Sequence, residues 1–341
     1  MDFLKIDGNF GEGGGQIVRT AVTLSCITKT PIILENIRKN RKDPGLKHQH
    51  LTAIKILQKI CNATIEGAKI GSTNLKFAPK DVKDAILRED VRTAGSIPLI
   101  LQVLIPISAI NQRKLELSIK GGTDVAWSPT IDYTNNVLRE AYERLGINFS
   151  IELVKRGYYP KGGGEINLKV FPSTIKPISL TNKKTRKLKI FCSYSKLPEQ
   201  LIKEKIEKIR SNLIEKNFDV KVVIKNQNAI DSGSTLLIAS VDEESIMGID
   251  SIFDKRTNEF RMDLKKITEN ELGVDENLAD MLVVPASLAE GMTIFRVPKI
   301  STHLETNLYV TSKITGCKYG VGKLPNGFEV RIEGVSNASI Q

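Results

Sequence analysis

The sequence predicts a mixed α/β (α+β) fold built on a repeated βαβαββ unit, with a small α/β domain inserted into a larger one. Three observations predict it. Segments with strand periodicity alternate with amphipathic helical segments along most of the 341 residues. Glycine clusters recur at 13–15, 121–122 and 162–164, each beside a strand, as a repeated unit would place them. The texture then changes near residue 183. Lys183 to Lys216 holds eleven Lys/Arg against four Asp/Glu, and the apolar α/β pattern returns only at LADMLVVPASLAEG. This places the larger domain at residues 1–184 and 269–341 and the insert at 185–268.

The elements follow in order. FLKI is a short strand and GNFGEGGG a turn. QIVRTAVTLSCITK is a helix, with Ile17, Val18, Ala21, Val22 and Leu24 at helical spacing. PIILENI is a second strand. RKNRKDPGLKHQH is a basic loop broken by Pro44-Gly45. A helix starting near His48 or Gln49 runs through Leu51, Ile54, Leu57 and Cys61, and TIEGAKIGSTNLKFAP gives two short strands. TAGSIPLILQVLIPISAI is apolar nearly all round and predicts a buried helix. KLELSIKGG alternates as a half-buried strand does. TIDYTNNVLREAYERLGI is a further amphipathic helix, and FSIELVKRGYYPKGGGEINLKV is a strand pair around a glycine-rich turn. In the insert, LKIFCSY, DVKVVIK and STLLIASV are strands. EQLIKEKIEKIRSNLIEKN is a helix with Leu201, Ile202, Ile206, Ile209 and Leu213 on one side, so the insert reads βαββ. A polar stretch near 254–276 follows it.

Composition narrows the function classes. A chain 40% hydrophobic and 26% charged has an ordinary globular balance. A net charge of +11 points to a polyanionic partner, nucleic acid being the commonest. Aromatic content of only 6% suits recognition of a phosphorylated end better than tracking of a long single strand. Cys26, Cys61, Cys192 and Cys317 form no CxxC pair, which speaks against zinc and for reduced thiols in the cytoplasm. The first residues lack a signal-peptide pattern and no apolar run reaches 18 residues, so no membrane association is expected.

Five stretches could carry chemistry. DGNFGEGGGQIVRT sets three glycines ahead of a helix, where backbone amides can meet an anion. Glu12 beside such a site suggests a metal ion between them, with Gln16 and Arg19 on the first helical turns. A plain tight turn and solvated helix residues explain the same pattern. IRKNRKDPGLKHQH carries Arg38 and Arg41, whose forked guanidinium groups match phosphate oxygens; a solvated loop is the alternative. RGYYPKGGGEI reads as a basic hairpin that could lie on a nucleic-acid face. Asp280 lies near the start of an apolar helix, as a cap-region residue or as the group that orients a histidine or binds metal. His303, one of three histidines, sits in PKISTHLETNLYV between hydroxyls and an apolar strand. It is either a packed histidine in a sheet or a nucleophile, and the residues alone leave both open.

Taken together, DGNFGEGGGQIVRT, IRKNRKDPGLKHQHL, LILQVLIP with Gln102, GGTD at 121–124, RGYYPKGGGEI, NLADMLVVP and THLETN resemble the RNA 3′-terminal phosphate cyclase family, in order and over nearly the whole chain. The resemblance implies three βαβαββ repeats, as in enolpyruvyl transferases, with a small α/β insert. It implies ATP-dependent conversion of an RNA 3′-phosphate to a 2′,3′-cyclic phosphodiester through a histidine–AMP intermediate. On that resemblance His303 is the nucleophile and Glu12 helps hold Mg²⁺ or Mn²⁺. Arg19, Arg38, Arg41, Gln49, His50, Gln102 and Asp280 line the nucleotide and phosphate site. The partner is RNA with a 3′-phosphate end, and monomer and homodimer both stay open. Two features depart from the family pattern. IDSIFDKRTNEFRMDLKKITENELG is short and polar where a longer helix is usual, and Met281 stands where glutamine is usual. Two other readings compete: a non-catalytic relative acting as a scaffold in ribosomal RNA processing, and a small-molecule transferase of the enolpyruvyl type. Retention of His303 argues against the first, the RGYYPKGGG motif and basic charge against the second.

Overall fold

The computed structural model describes residues 2–336. The first sheet contains β1 (Leu4–Asp7), β2 (Ile32–Glu35), β3 (Thr64–Glu66) and β4 (Leu75–Ala78), with helices α1 (Gly15–Thr28) and α2 (His48–Cys61) between them. Its order is β1-β2-β4-β3; β1 and β2 are parallel, the other neighbours antiparallel. The second sheet contains β5 (Ala85–Asp90), β6 (Leu115–Gly121), β7 (Phe149–Lys155) and β8 (Gly164–Val170). Between its strands run α3 (Ile97–Ile110) and a helix that begins as α4 (Ile131–Tyr133), widens into a π-helical turn at Thr134–Leu138 and ends as α5 (Arg139–Arg144). Its order, β5-β6-β8-β7, and its pairing directions repeat those of the first sheet. β5 was hidden in the sequence because its residues alternate between exposed and half-buried, with no fully buried face to give a pattern.

After β9 (Ser179–Leu180) the chain leaves to form β10 (Lys187–Ser195), α6 (Glu199–Glu215), β11 (Asp219–Asn226), β12 (Gly233–Asp242), β13 (Ser245–Asp254), β14 (Glu259–Phe260) and α7 (Lys265–Thr268). It returns with α8 (Glu276–Ala286), β15 (Gly291–Val297), α9 (Thr302–Thr315), β16 (Lys318–Leu324) and β17 (Gly327–Gly334). The sheet β9-β15-β17-β16 again pairs its first two strands parallel and the rest antiparallel. The strands between form their own five-stranded sheet, β11-β10-β12-β13-β14. One face of it, with Ile190, Ile238 and Met247, buries Ile202, Ile206 and Leu213 of α6 in a separate apolar cluster. Leu237, Ala239 and Ile246 from the opposite face join the main core. Two faces covered by protein explain why β13 escapes a simple alternation rule: SIMGIDSIFD has no consistently polar side. The insert therefore has two strands beyond the expected βαββ group.

Helices α1, α3, α8 and α9 pack in the centre. All of α1 beyond its first residue is buried except Arg19, and α3 is buried on nearly every side, as its composition predicts. The stretch NLYV, read from sequence as an apolar strand, lies instead within α9. Ser301 accepts from Leu304 N–H at 3.1 Å and Glu305 sits in the first turn; these start signals outweigh the β propensity of the short apolar run.

A second correction concerns Arg156 of RGYYPKGGGEI. It does not lie on a surface hairpin: its side chain is 1% exposed. Its Nη1 donates to both oxygens of Asp124 (3.1 and 3.0 Å) and to Thr235 Oγ1 (3.2 Å). Its Nη2 donates to Asp132 (2.7 Å) and Ser193 (2.8 Å), and its Nε to Gln227 (2.9 Å). The guanidinium thus ties the loop after β6 and the start of α4 to strands β10 and β12.

Candidate active site

The ends of α1, α2, α8 and α9 and the loops after β2 and β6 enclose a cleft of about 710 Å³. Glu12 enters it from the turn before α1, and Arg19 from α1 itself. Arg38 and Arg41 come from the loop after β2, Gln49 and His50 from the first turn of α2. Gln102 of α3, Asp280 of α8 and His303 of α9 complete the set, so the cleft gathers all nine residues singled out in the sequence.

Glycine makes the close approach possible. Gly11 and Gly13 hold φ of +58° and +59°, a left-handed backbone that side chains disfavour. At Gly15 a Cβ would collide with His50 Nε2, so His50 can lie over the start of α1 only because that position is glycine. Gly14 supplies no side-chain cap and the first turn of α1 carries no acid, which leaves the helix amides open to an anion.

Three buried donor atoms around this helix end have no partner among the described residues. Lys47 N–H donates to His50 Nδ1 at 3.1 Å, which places the ring proton on Nε2. That atom is buried and has no partner among the described residues, and the same holds for Arg38 Nε and Arg41 Nε. Burial, followed by the charges of Arg19, Arg38 and Lys47, pulls the His50 pKa down to about 3. His50 is therefore a neutral N–H donor. Burial lowers Arg19 to about 10, against the pull of Asp280, and it stays charged at neutral pH.

His303 is the second residue of α9, and its side chain is 44% exposed to the cleft. Its Nδ1 meets Gln16 Oε1 and its Nε2 meets Glu12, which also pairs with Arg41. Gln16 Nε2 donates to Asp280 Oδ2 at 3.2 Å, while Asp280 stands 4.0 Å from His303 Nδ1. Asp280 thus reaches His303 through Gln16. The amide oxygen takes the proton of Nδ1, and Nε2 faces the Glu12 carboxylate. Burial, then Arg19 and Arg41, lowers the His303 pKa. Burial, with help from Asp275, raises Asp280 to about 7 against the opposing pull of Arg19. Gln49 Oε1 accepts from Ser96 N–H at 3.2 Å, and Met281 packs beside Asp280 on the cleft wall.

Sequence reasoning missed three features here. Gln16, noted only as a first-turn helix residue, is 6% exposed and forms the link between two site residues. The cap of α8 is Asp275 rather than Asp280: it accepts from Asn277 and Leu278 N–H and from Tyr133 Oη, the last at 2.9 Å. Capping signals were present, since Asp stands directly before the helical run. The third is the wall formed by Val125–Pro129, whose residues carry no catalytic pattern.

Glu12 could share a divalent cation with bound phosphates. No group of three or more His, Cys, Asp or Glu among the described residues could hold an ion unaided. A single carboxylate suits Mg²⁺ or Mn²⁺ that takes most of its ligands from water and substrate phosphate.

An imidazole in a cleft lined by arginines and by buried N–H donors without partners suits the handling of phosphate on a mixed α/β scaffold. Residues 10–321 match the family model described as RNA 3′-terminal phosphate cyclase. The protein of that name from Methanococcoides burtonii is 36% identical over 332 residues, covering 97% of this chain and all of the relative. Those of Methanosarcina barkeri and Saccharolobus islandicus are each 38% identical, covering 96% of this chain and 99% of their own. The chain belongs to the RNA 3′-terminal phosphate cyclase family, and it is an enzyme of that family. A solved EPSP synthase of Acinetobacter baumannii aligns at a TM-score of 0.29 and 11% identity, over 98% of this chain and 65% of that one. That likeness is too distant to bear on the fold. Among the described residues no helix is long and apolar enough to cross a membrane.

Proposed function

We propose that the enzyme converts an RNA 3′-terminal phosphate into a 2′,3′-cyclic phosphodiester at the expense of ATP, through AMP carried on His303. The observation that carries this reading is the His303 ring itself, with its Nδ1 on Gln16 and its Nε2 against Glu12 in an arginine-lined cleft, where a cation bound to Glu12 would free Nε2. The Nε2 lone pair attacks the α-phosphorus of ATP, and the bond to pyrophosphate breaks. The protonated phosphoramidate is a good leaving group, so AMP passes to the RNA 3′-phosphate and frees the histidine. The 2′-hydroxyl then attacks the activated phosphorus and AMP departs.

His50 Nε2–H, Arg38, Arg41, Arg19 and the α1 amides are placed to take the charge that grows on phosphoryl oxygens and pyrophosphate. Gln49 and Gln102 supply further polar contacts from the same cleft. Glu12 would hold Mg²⁺ or Mn²⁺ together with substrate phosphates. When bound, such an ion neutralises phosphate charge. The burial of Asp280 makes its ionisation sensitive to what occupies the cleft, and through Gln16 it steadies the ring of His303.

The same reading takes the three like-ordered sheets as three βαβαββ repeats, at 1–184 and 269–341, and the separate apolar cluster as the core of an inserted domain at 185–268. It places the enzyme in the cytoplasm, with RNA as partner, as a monomer or homodimer. Incubation with ATP labelled at the α-phosphate and Mg²⁺ or Mn²⁺, followed by denaturing electrophoresis, tests it. An acid-labile label, absent from His303→Ala and discharged by RNA with a 3′-phosphate, is the expected result. Protein that binds RNA yet takes no label with either metal would favour a scaffold instead.

A further inference from the structure

We infer that Trp127 is a stacking platform for a base near the 3′ end of the RNA, which gives the cleft a nucleobase subsite outside its phosphate-binding floor. The inference rests on the reading of the cleft as an RNA 3′-phosphate site. Trp127 is the only tryptophan in the chain, it lines the cleft, and it is 100% exposed. Nothing in the fold requires the indole there: the ring is buried against no neighbour.

The backbone holds it out at a cost. Trp127 has φ +65°, a conformation that bulky residues disfavour. The loop is anchored on both sides. Asp124 is locked to Arg156 and accepts from Ile131 N–H at 3.2 Å. Ser128 Oγ donates to Val125 O at 2.9 Å, and Thr130 N–H donates to Asp250 at 2.7 Å. The apex between those anchors presents a large flat ring to solvent beside a cleft whose floor carries Arg19, Arg38 and Arg41. A cationic floor that takes phosphate beside an aromatic face that takes a base is the usual pairing for single-stranded nucleic acid. Of the two substrates, RNA is the one whose chain must leave the cleft. A ring wholly in solvent at the rim meets that exit path, whereas a mononucleotide base would be enclosed by cleft walls.

The tryptophan reports on itself. Its fluorescence is followed during titration with an oligoribonucleotide bearing a 3′-phosphate, and separately with a non-hydrolysable ATP analogue. Quenching by RNA that is much larger than that by the analogue is expected. Trp127→Ala should raise the KM for RNA about tenfold, within the roughly 5- to 150-fold range of one lost stacking contact, and by more than the KM for ATP. Trp127→Phe should recover part of the loss. RNAs made abasic at each of the last three positions should show one position where the wild type loses affinity and Trp127→Ala does not. Quenching by the analogue alone, or equal losses for every abasic RNA in both proteins, would overturn the inference. So would full cyclisation with no change in fluorescence, which would leave the reading of the cleft standing. Failure of His303 to accept AMP would instead overturn that reading, and the RNA titration would still decide on the indole.

Discussion

Two clusters in this protein set arginines among carboxylates away from bulk water, and they are opposites. Around Arg156, every guanidinium nitrogen has a partner: two carboxylates, two hydroxyls and an amide. In the cleft, Arg38 Nε, Arg41 Nε and His50 Nε2 are buried with no partner among the described residues. Buried donors are ordinarily satisfied, since an orphan costs about 1–3 kcal/mol. Three together, at a bare helix N-terminus, mean that the fold tolerates the cost because a ligand removes it. A fully satisfied guanidinium marks a joint, and buried donor atoms left without partners mark a site even where a charge pair such as Arg41–Glu12 stands beside them.

The largest expected effects separate the two. His303→Ala should abolish the adenylate label, a loss of at least roughly 1,000-fold, because no other group supplies the nucleophile. Its urea midpoint should move little, the side chain being half exposed; exposed sites away from special features fall within about 0.5 kcal/mol. Arg156→Met should do the reverse to stability. It strands Asp124 and Asp132, and breaking a buried pair costs about 3–5 kcal/mol. Equilibrium urea unfolding at unchanged slope measures this. A stable Arg156→Met protein with lost activity would mean the joint had been misjudged.

Next in size is Gln16, which belongs to the cleft but acts through another residue. Gln16→Ala should slow labelling by roughly 10–100-fold, the usual cost of losing a group that orients a reacting one, with kcat falling more than the KM for ATP rises. Gln16→Glu offers a sharper readout. A carboxylate on Nδ1 would raise the His303 pKa, so the acid limb of the labelling rate against pH should move to higher pH. An unshifted limb would show that Gln16 only fills space.

The uneven legibility of the sequence follows from the same contrast. Glu12, Arg19, Arg38 and Arg41 stand in glycine-containing motifs with a direct electrostatic meaning, whereas Gln49, His50 and Gln102 came only from the family resemblance. Gln16 could not be read, because its partners lie 264 and 287 residues away. Arg156 was misread because a basic residue beside a glycine turn looks exposed until Asp124 and Asp132 fold over it. β13 and α9 were obscured for local reasons: a strand covered on both faces loses its alternation, and an apolar tetrapeptide says less than the serine cap ahead of it.

The smallest effect is a slope against pH, and it tests whether His50 is neutral. Its folded pKa is about 3, lowered chiefly by burial, against an ordinary value near 6.5. Between those values the unfolded chain binds the proton and the folded protein does not. The stability contributed by His50 is therefore full above pH 6.5 and is lost as pH falls toward 3. One proton gives at most about 1.4 kcal/mol per pH unit. Asp280, raised to about 7, has the opposite sign: stability falls as pH rises from about 4 to 7, so the two partly cancel in the wild type. Subtracting the urea-derived stability of His50→Gln from that of the wild type isolates the histidine. The difference should rise with pH between 4 and 6 and flatten above 6.5. A flat difference throughout would mean that His50 keeps an ordinary pKa in the folded state and becomes a cation as pH falls below about 6.5, against the neutral donor assigned over that range.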